Sequence, residues 1–292
     1  MTKKIGVGKA HSKIILMGEH SVVYGYPAIA IPLKTIEVEC YIYPSDHSII
    51  FDFDDTLSTA IYAALDYLGK TQVAISYDIR SEVPQKRGMG SSAAVSIAAI
   101  RAVFDYFQQS VSDELLEVLV NQAEIIAHTN PSGLDAKTCL SDEAIKFIRN
   151  VGFEAIDLNL NAYLVIADTG VHGNTREAVD KVAASEIDNL PFLSQLGLLT
   201  EQAEQQIIAK DCQGLGQSMT AAHAFLQKIG VSLEKSDHLV TSALEEGALG
   251  AKMSGGGLGG CMIALAETEN QAHKITDRLR KEGAVNTWIQ KL

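Results

Sequence analysis

Alternating apolar and polar positions dominate the start of the chain. Residues 5–17 read as two short strands, with Lys13 entering the second and Gly18-Glu19-His20 ending it. The alternation resumes over 29–43 and 72–83, the period of strands with one face covered. A helical pattern covers 56–68, preceded by Asp52, Asp54 and Asp55. From Ser91 to Ile100 the chain is rich in alanine, which predicts a buried helix that is small where it must approach a neighbour closely. Ser112 caps a further helix that runs through Leu116, Val120, Ala123 and Ile126 to about His128. Residues 145–160 return to strand-like alternation.

A second unit starts near Ala162. Its strand, 163–168, is followed by a helix beginning near Thr175-Arg176-Glu177, helices over 191–209, 211–229 and 236–247, and a strand over 262–266. A last helix over 269–281 and a closing strand over 285–289 complete the pattern. At 292 residues there is room for two medium domains, each with its own core.

Composition narrows the function classes. A formal charge of −12 disfavours nonspecific binding to nucleic acid, whose phosphates demand a basic surface. Arg101 and Lys252 interrupt the two most apolar stretches, so no membrane span is predicted. Cys40, Cys139, Cys212 and Cys261 form no CxxC or Cys/His spacing and read as reduced thiols in a cytoplasmic protein. A small anionic ligand remains compatible because positive groups gather locally: Lys9, His11, Lys13 and His20, and Lys86-Arg87.

The candidate chemistry centres on Lys86-Arg87-Gly88-Met89-Gly90-Ser91-Ser92-Ala93-Ala94. Gly88 and Gly90 allow positive φ and close approach of backbone to ligand, and a helix starting at the serines aims unpaired N–H groups into the loop. That arrangement holds phosphate. The same residues also fit a serine-capped glycine turn before a core helix. Lys13, Glu19 and His20 lie where apolar strand runs begin or stop, as cleft-facing side chains do, although Gly-Glu-His taken alone fits a polar hairpin turn. The three early aspartates fit a helix start better than a metal site. Glu124, a charge on an otherwise apolar helix, is either solvent-facing or a ligand, and its residue type favours solvent. Asn130-Pro131-Ser132-Gly133-Leu134-Asp135 is a turn ending in an acid, with small residues that allow Asp135 to stand against a ligand. Five glycines between Gly255 and Gly260, flanked by strands, argue for a fixed turn.

The order Lys13 with Gly18-Glu19-His20, then the Gly88 to Ala94 cradle, then the Lys252 to Gly260 turn resembles the GHMP kinases over nearly the whole chain. Gly18-Glu19-His20-Ser21-Val22-Val23-Tyr24-Gly25 and the turn before Asp135 are similar to the branch that phosphorylates mevalonate; galactose-directed members continue the triplet with a Thr-Asp-Tyr type sequence. The resemblance implies an α+β fold of two domains, 1–160 similar to ribosomal protein S5 domain 2 and 161–292 ferredoxin-like, with the active site between them. It implies no Walker A loop, and GxxxxGK[ST] does not occur.

By the same resemblance, Gly88, Met89, Gly90, Ser91, Ser92 and Ala93 hold ATP phosphates, and Ser92, with Ser91 as the alternative, joins Glu124 in ligating Mg²⁺. Asp135 is the catalytic base with Lys13 as its partner, His20 contacts mevalonate, Thr175 lies near the phosphates, and Glu19 is a site residue without a defined role. The implied partners are mevalonate and ATP. A homodimer is one option for the assembly, on which the sequence is silent. Phosphomevalonate kinase activity, diphosphomevalonate decarboxylase activity and a nucleotide sensor without turnover are the competing readings. Met89 stands where the family commonly has Leu, a volume-conserving difference. The resemblance assigns no role to Lys86 and Arg87.

Overall fold

A computed structural model describes residues 5–47, 49–127 and 133–292; the readings on His128, Asn130, Pro131 and Ser132 lie outside them. In chain order the elements are β1 (Gly6–Met17), a single 3₁₀ turn (Ser21–Tyr24), β2 (Ala28–Pro44), α1 (Thr56–Tyr67), β3 (Ile75–Ser81), α2 (Ser91–Tyr106), α3 (Asp113–Ala127), α4 (Leu134–Leu140), β4 (Ala144–Ile148) and β5 (Gly152–Ile156). There follow β6 (Tyr163–Asp168), α5 (Thr175–Ala184), α6 (Glu186–Ile208), α7 (Cys212–Lys228), α8 (Glu234–Glu245), β7 (Gly250–Ser254), β8 (Cys261–Ala266), α9 (Glu269–Lys281) and β9 (Asn286–Lys291). The fold is α+β.

Three elements differ from the sequence pattern. Residues 6–17 form one strand, not two, with Ser12 and Lys13 buried within an unbroken β1. Residues 145–160 fold as the β4–β5 hairpin, Ile148 pairing with Gly152. Helix α6 begins before Pro191, which lies inside it. Proline near a helix start forfeits only one backbone hydrogen bond, so the pattern placed that boundary too late.

The chain divides into two compact units that are not continuous segments. One comprises Met1–Lys13, Pro32–Gln85 and Gly90–Asp142; the other comprises Ile14–Ile31, Lys86–Met89 and Glu143–Leu292. Within the first, β3 pairs antiparallel with the second half of β2, Val38 opposite Ser81. Helices α1, α2 and α3 pack on one another. The alanine-rich helix α2 is the core of this unit, with Ala94, Ile97, Ala98, Ile100 and Val103 fully buried. Its small residues serve a close approach: a Cβ on Gly6 or Gly8 of β1 would collide with the Ala102 or Ala98 backbone.

The second unit holds a four-stranded antiparallel sheet in the order β7-β8-β6-β9. With helices between β6 and β7 and between β8 and β9, this is the ferredoxin-like connectivity that the sequence resemblance implies. Helix α9 shows how sequence builds it. Thr268 caps it by accepting the Gln271 N–H, Glu269 lies in its first turn, and Arg278, Arg280 and Lys281 lie in its last. Ala272, Ile275, Thr276 and Leu279 recur at helical spacing and are its buried face. Ile275 and Leu279 join Val165, Met262 and Leu239 in one apolar cluster. Fully burying side chains of this size stabilises the unit by roughly 1.5–3 kcal/mol each, so Ile275→Ala is the single change that most directly breaks the helix from its sheet.

Candidate active site

In the first unit the chemistry collects around the N terminus of α2. Gly90 precedes that helix with φ 69°, a left-handed conformation suited to glycine, and the first helical bond runs from the Ala94 N–H to the Gly90 carbonyl. The amides of Ser91, Ser92 and Ala93 therefore have no carbonyl within the helix to bind, and they carry its positive dipole end. Met89, just before Gly90, is fully buried.

Lys13 enters from β1. Its side chain is 2% exposed and its Nζ lies 2.7 Å from Asp135 Oδ1. The stem of the lysine passes directly over Gly90: a Cβ there would lie 2.8 Å from Lys13 Cγ and 2.9 Å from Cε. Asp135 sits in the first turn of α4, whose preceding residue, Gly133, has φ 78°. The acid is thus presented by a helix start. Cys139, one turn further on, donates weakly from Sγ to the Gly90 carbonyl at 3.9 Å, and burial pushes its thiol up, out of nucleophilic range.

Glu124 overturns the solvent-facing preference of its residue type. It is 3% exposed, and Ser92 Oγ–H donates to its Oε1 at 2.6 Å. A hydroxyl and a carboxylate from two helices thus meet at the head of α2. Hard oxygen donors of this kind suit Mg²⁺, which takes few protein ligands and completes its shell with phosphate and water. Among the described residues no group of three His, Cys, Asp or Glu side chains forms an all-protein metal cage. Of the early aspartates, Asp55 Oδ2 accepts the Ser58 N–H as the cap of α1, and Asp52 Oδ1 accepts the Asp54 N–H.

In the second unit, Glu19, His20 and Thr175 meet the glycine turn. His20 Nε2–H donates to the Gly256 carbonyl at 2.8 Å. Thr175, at the start of α5, packs so closely on the other side of Gly256 that any Cβ there would overlap it. Burial pushes the His20 imidazole down to about 4, the Gly256 hydrogen bond offsetting this only in part. The ring is therefore a neutral donor at neutral pH. Glu19 forms a fully buried ion pair with Lys252 of β7, a partner that no spacing in the sequence announces.

The local gathering of positive charge expected from sequence is only partly realised. Lys9 is exposed and pairs with Glu39, and His11 Nδ1 bonds the neighbouring Ser12 carbonyl. Arg87 is buried in the second unit. Its Nε lies 2.6 Å from Asp168 Oδ1, close in charge but without an aligned hydrogen bond, and one terminal nitrogen donates to the Gly170 carbonyl at 3.3 Å. Arg87 anchors its loop internally.

The descriptions "GHMP kinases N terminal domain" and "GHMP kinases C terminal" match residues 56–143 and 203–285. A mevalonate kinase of Pyrococcus furiosus is 32% identical, covering 95% of this chain and 93% of its own length. The chain belongs to the GHMP kinases. A mevalonate kinase of Pyrococcus horikoshii is 34% identical over 90% of this GHMP kinase. Among solved structures, L. major mevalonate kinase in complex with R-mevalonate superposes with a TM-score of 0.87 at 27% identity, covering 99% of this chain and 97% of that one. Mevalonate kinase from methicillin-resistant Staphylococcus aureus gives 0.77 at 31%, covering 100% and 99%.

Proposed function

We propose that this GHMP kinase transfers the γ-phosphate of ATP to the 5-hydroxyl of mevalonate, giving 5-phosphomevalonate and ADP in isoprenoid precursor synthesis. The observation that carries the reading is the Lys13–Asp135 contact of 2.7 Å beside the open amides of α2. The mevalonate kinases at 32% and 34% identity over at least nine tenths of the chain support the substrate.

Phosphoryl transfer needs little covalent help from protein; it needs positioning and charge neutralisation. Asp135 accepts the hydroxyl proton as the oxygen attacks phosphorus, and the bond to ADP breaks. The Lys13 ammonium holds the attacking oxygen and the transferring phosphoryl group. The loop Gly88, Met89, Gly90 and the amides of Ser91, Ser92 and Ala93 hold the phosphates of ATP. Ser92 and Glu124 would hold Mg²⁺, with Ser91 the alternative hydroxyl. The ion neutralises phosphate charge when bound. His20 contacts mevalonate, its Nε2–H being committed to the Gly256 carbonyl, and Thr175 stands near the phosphates. Functionally, 1–160 carries the cradle and base and 161–292 the glycine turn. The reading carries a cytoplasmic setting.

The deciding experiment is ADP release from Mg-ATP with mevalonate, phosphomevalonate, galactose and homoserine as acceptors. Turnover with mevalonate alone is expected. Preference for phosphomevalonate, or intact ATP binding without turnover on any acceptor, would overturn the assignment.

A further inference from the structure

Glu19 and Lys252 stand 233 positions apart in the sequence, yet their side chains are 1% and 0% exposed and paired with each other. Taking both charges out of water costs about as much as their attraction returns, and an apolar pair of similar volume is often the more stable choice. The second carboxylate oxygen of Glu19 is buried without a hydrogen-bond partner among the described residues, which adds to the cost. Stability alone gives no reason for this pair.

Its position does. His20 follows Glu19 directly and has φ 62°, ψ −44°, while the Ser21 N–H donates to the Glu19 carbonyl at 2.7 Å. This is a γ-turn with positive φ, the rarer and more strained of the two forms, centred on a residue that bears a Cβ. Such a conformation persists only where its surroundings fix it. Two links do so, and both go to one stretch of chain. Glu19 is tied to Lys252 on β7, and His20 is tied to the carbonyl of Gly256 in the turn that β7 leads into. Ser254 between them donates from Oγ to the Ile15 carbonyl at 2.7 Å, a third stitch across the same seam.

We propose that Glu19 and Lys252 are a positioning pair, holding His20 in its strained turn against Gly256 and so setting affinity for mevalonate more than the rate of phosphoryl transfer. This rests on the mevalonate reading above. It gives Glu19 a role as the carboxylate that orients its neighbour, and brings in Lys252 as the residue through which it acts.

The test separates positioning from stability. Glu19→Gln and Lys252→Met each leave one buried partner unmatched, and both should lower the unfolding midpoint. The apolar double variant, Glu19→Leu with Lys252→Met, should regain that midpoint. If the pair positions His20, the double variant still shows a KM for mevalonate raised about tenfold, a KM for ATP within about threefold of the parent, and a smaller loss in kcat. A double variant with both stability and KM for mevalonate restored would overturn the proposal. Imidazole NMR of His20 gives a readout free of turnover: the Nε2–H signal bonded to Gly256 should be lost in the double variant, and its retention unchanged would also overturn the proposal. Should the parent enzyme not phosphorylate mevalonate, the substrate reading fails, and the His20 spectrum still decides on the pair.

Discussion

Lys13 Nζ stands 2.7 Å from Asp135 Oδ1, and the two ends of the contact are unequal, the lysine side chain being 2% exposed and the aspartate 39%. A buried ammonium thus meets a carboxylate that a substrate can still reach. The lysine is pinned along its stem, and the acid is carried by a helix start. Asp135→Asn should lower kcat by roughly 10²–10⁴-fold, the usual worth of a general base, while ATP binding measured by calorimetry is retained. A fully active Asp135→Asn enzyme would refute the base. Lys13→Met should lose turnover to a similar degree.

Gly90→Ala tests the seat of that lysine. The new methyl would lie 2.8 Å from Lys13 Cγ and occupy a φ of 69°, so both the lysine and the backbone must give. A stability loss of about 1–3 kcal/mol in urea unfolding is expected from the strain, together with reduced kcat. Activity and stability both at the parent level would show that the lysine moves freely.

At the head of α2, Ser92→Ala and Glu124→Gln remove one oxygen donor or one charge from the 2.6 Å pair. Each should raise the Mg²⁺ concentration that gives half-maximal activity, by about tenfold or more, and Glu124→Gln should do so more strongly because a divalent ion is drawn by charge. A Mg²⁺ titration of ATP-analogue binding reads the same effect without turnover. An unchanged Mg²⁺ requirement in both variants would remove these residues from the metal site.

His20 gives a pH dependence whose direction follows from its burial. Its folded value of about 4 lies below the ordinary 6.5, so the unfolded chain binds the proton more readily. The stability contribution is full above about pH 6.5 and falls as the pH drops towards 4, with an upper limit of about 3 kcal/mol. Burial lowers His223 as well, in the same direction. Urea midpoints measured from pH 4 to 7 should therefore fall on acidification, and His20→Gln should flatten the slope without abolishing it. An identical slope in His20→Gln would show that the imidazole titrates normally.

Arg87→Met should cost about 3 kcal/mol, because it leaves the 2%-exposed carboxylate of Asp168 without its charge partner. Equilibrium unfolding measures it. A neutral outcome would show that the Asp168 carboxylate does not depend on Arg87 as its charge partner.

Much of this was legible in the chain. The helix 269–281 follows from period and capping, burying one face chosen by its own residues, while the alanine-rich helix at Ser91 and the strand 163–168 follow from continuous small or apolar runs that are buried on nearly all sides. The glycines at 88 and 90, and the sequence order of Lys13, the cradle and the 255–260 turn, pointed to phosphate chemistry before any coordinates. Elsewhere the local signal misled. Residues 5–17 read as two strands with Lys13 entering the second, and Glu124 looked like a solvent-facing residue, because pattern alone does not show which charges the fold will bury. Both are buried.

The sequence by itself determined most of the helices and strands and the residue types at the site, because hydrophobic period, caps and glycine conformations are properties of neighbours along the chain; the α+β class came with the family resemblance. The resemblance had paired Lys13 with Asp135, but tertiary structure alone decided the other buried charges: Lys252 meets Glu19 and Arg87 meets Asp168, and no member of these two pairs identifies its partner by spacing. The reason is physical: a buried charge needs a partner within a few ångströms in space, and separation along the sequence does not enter that energy.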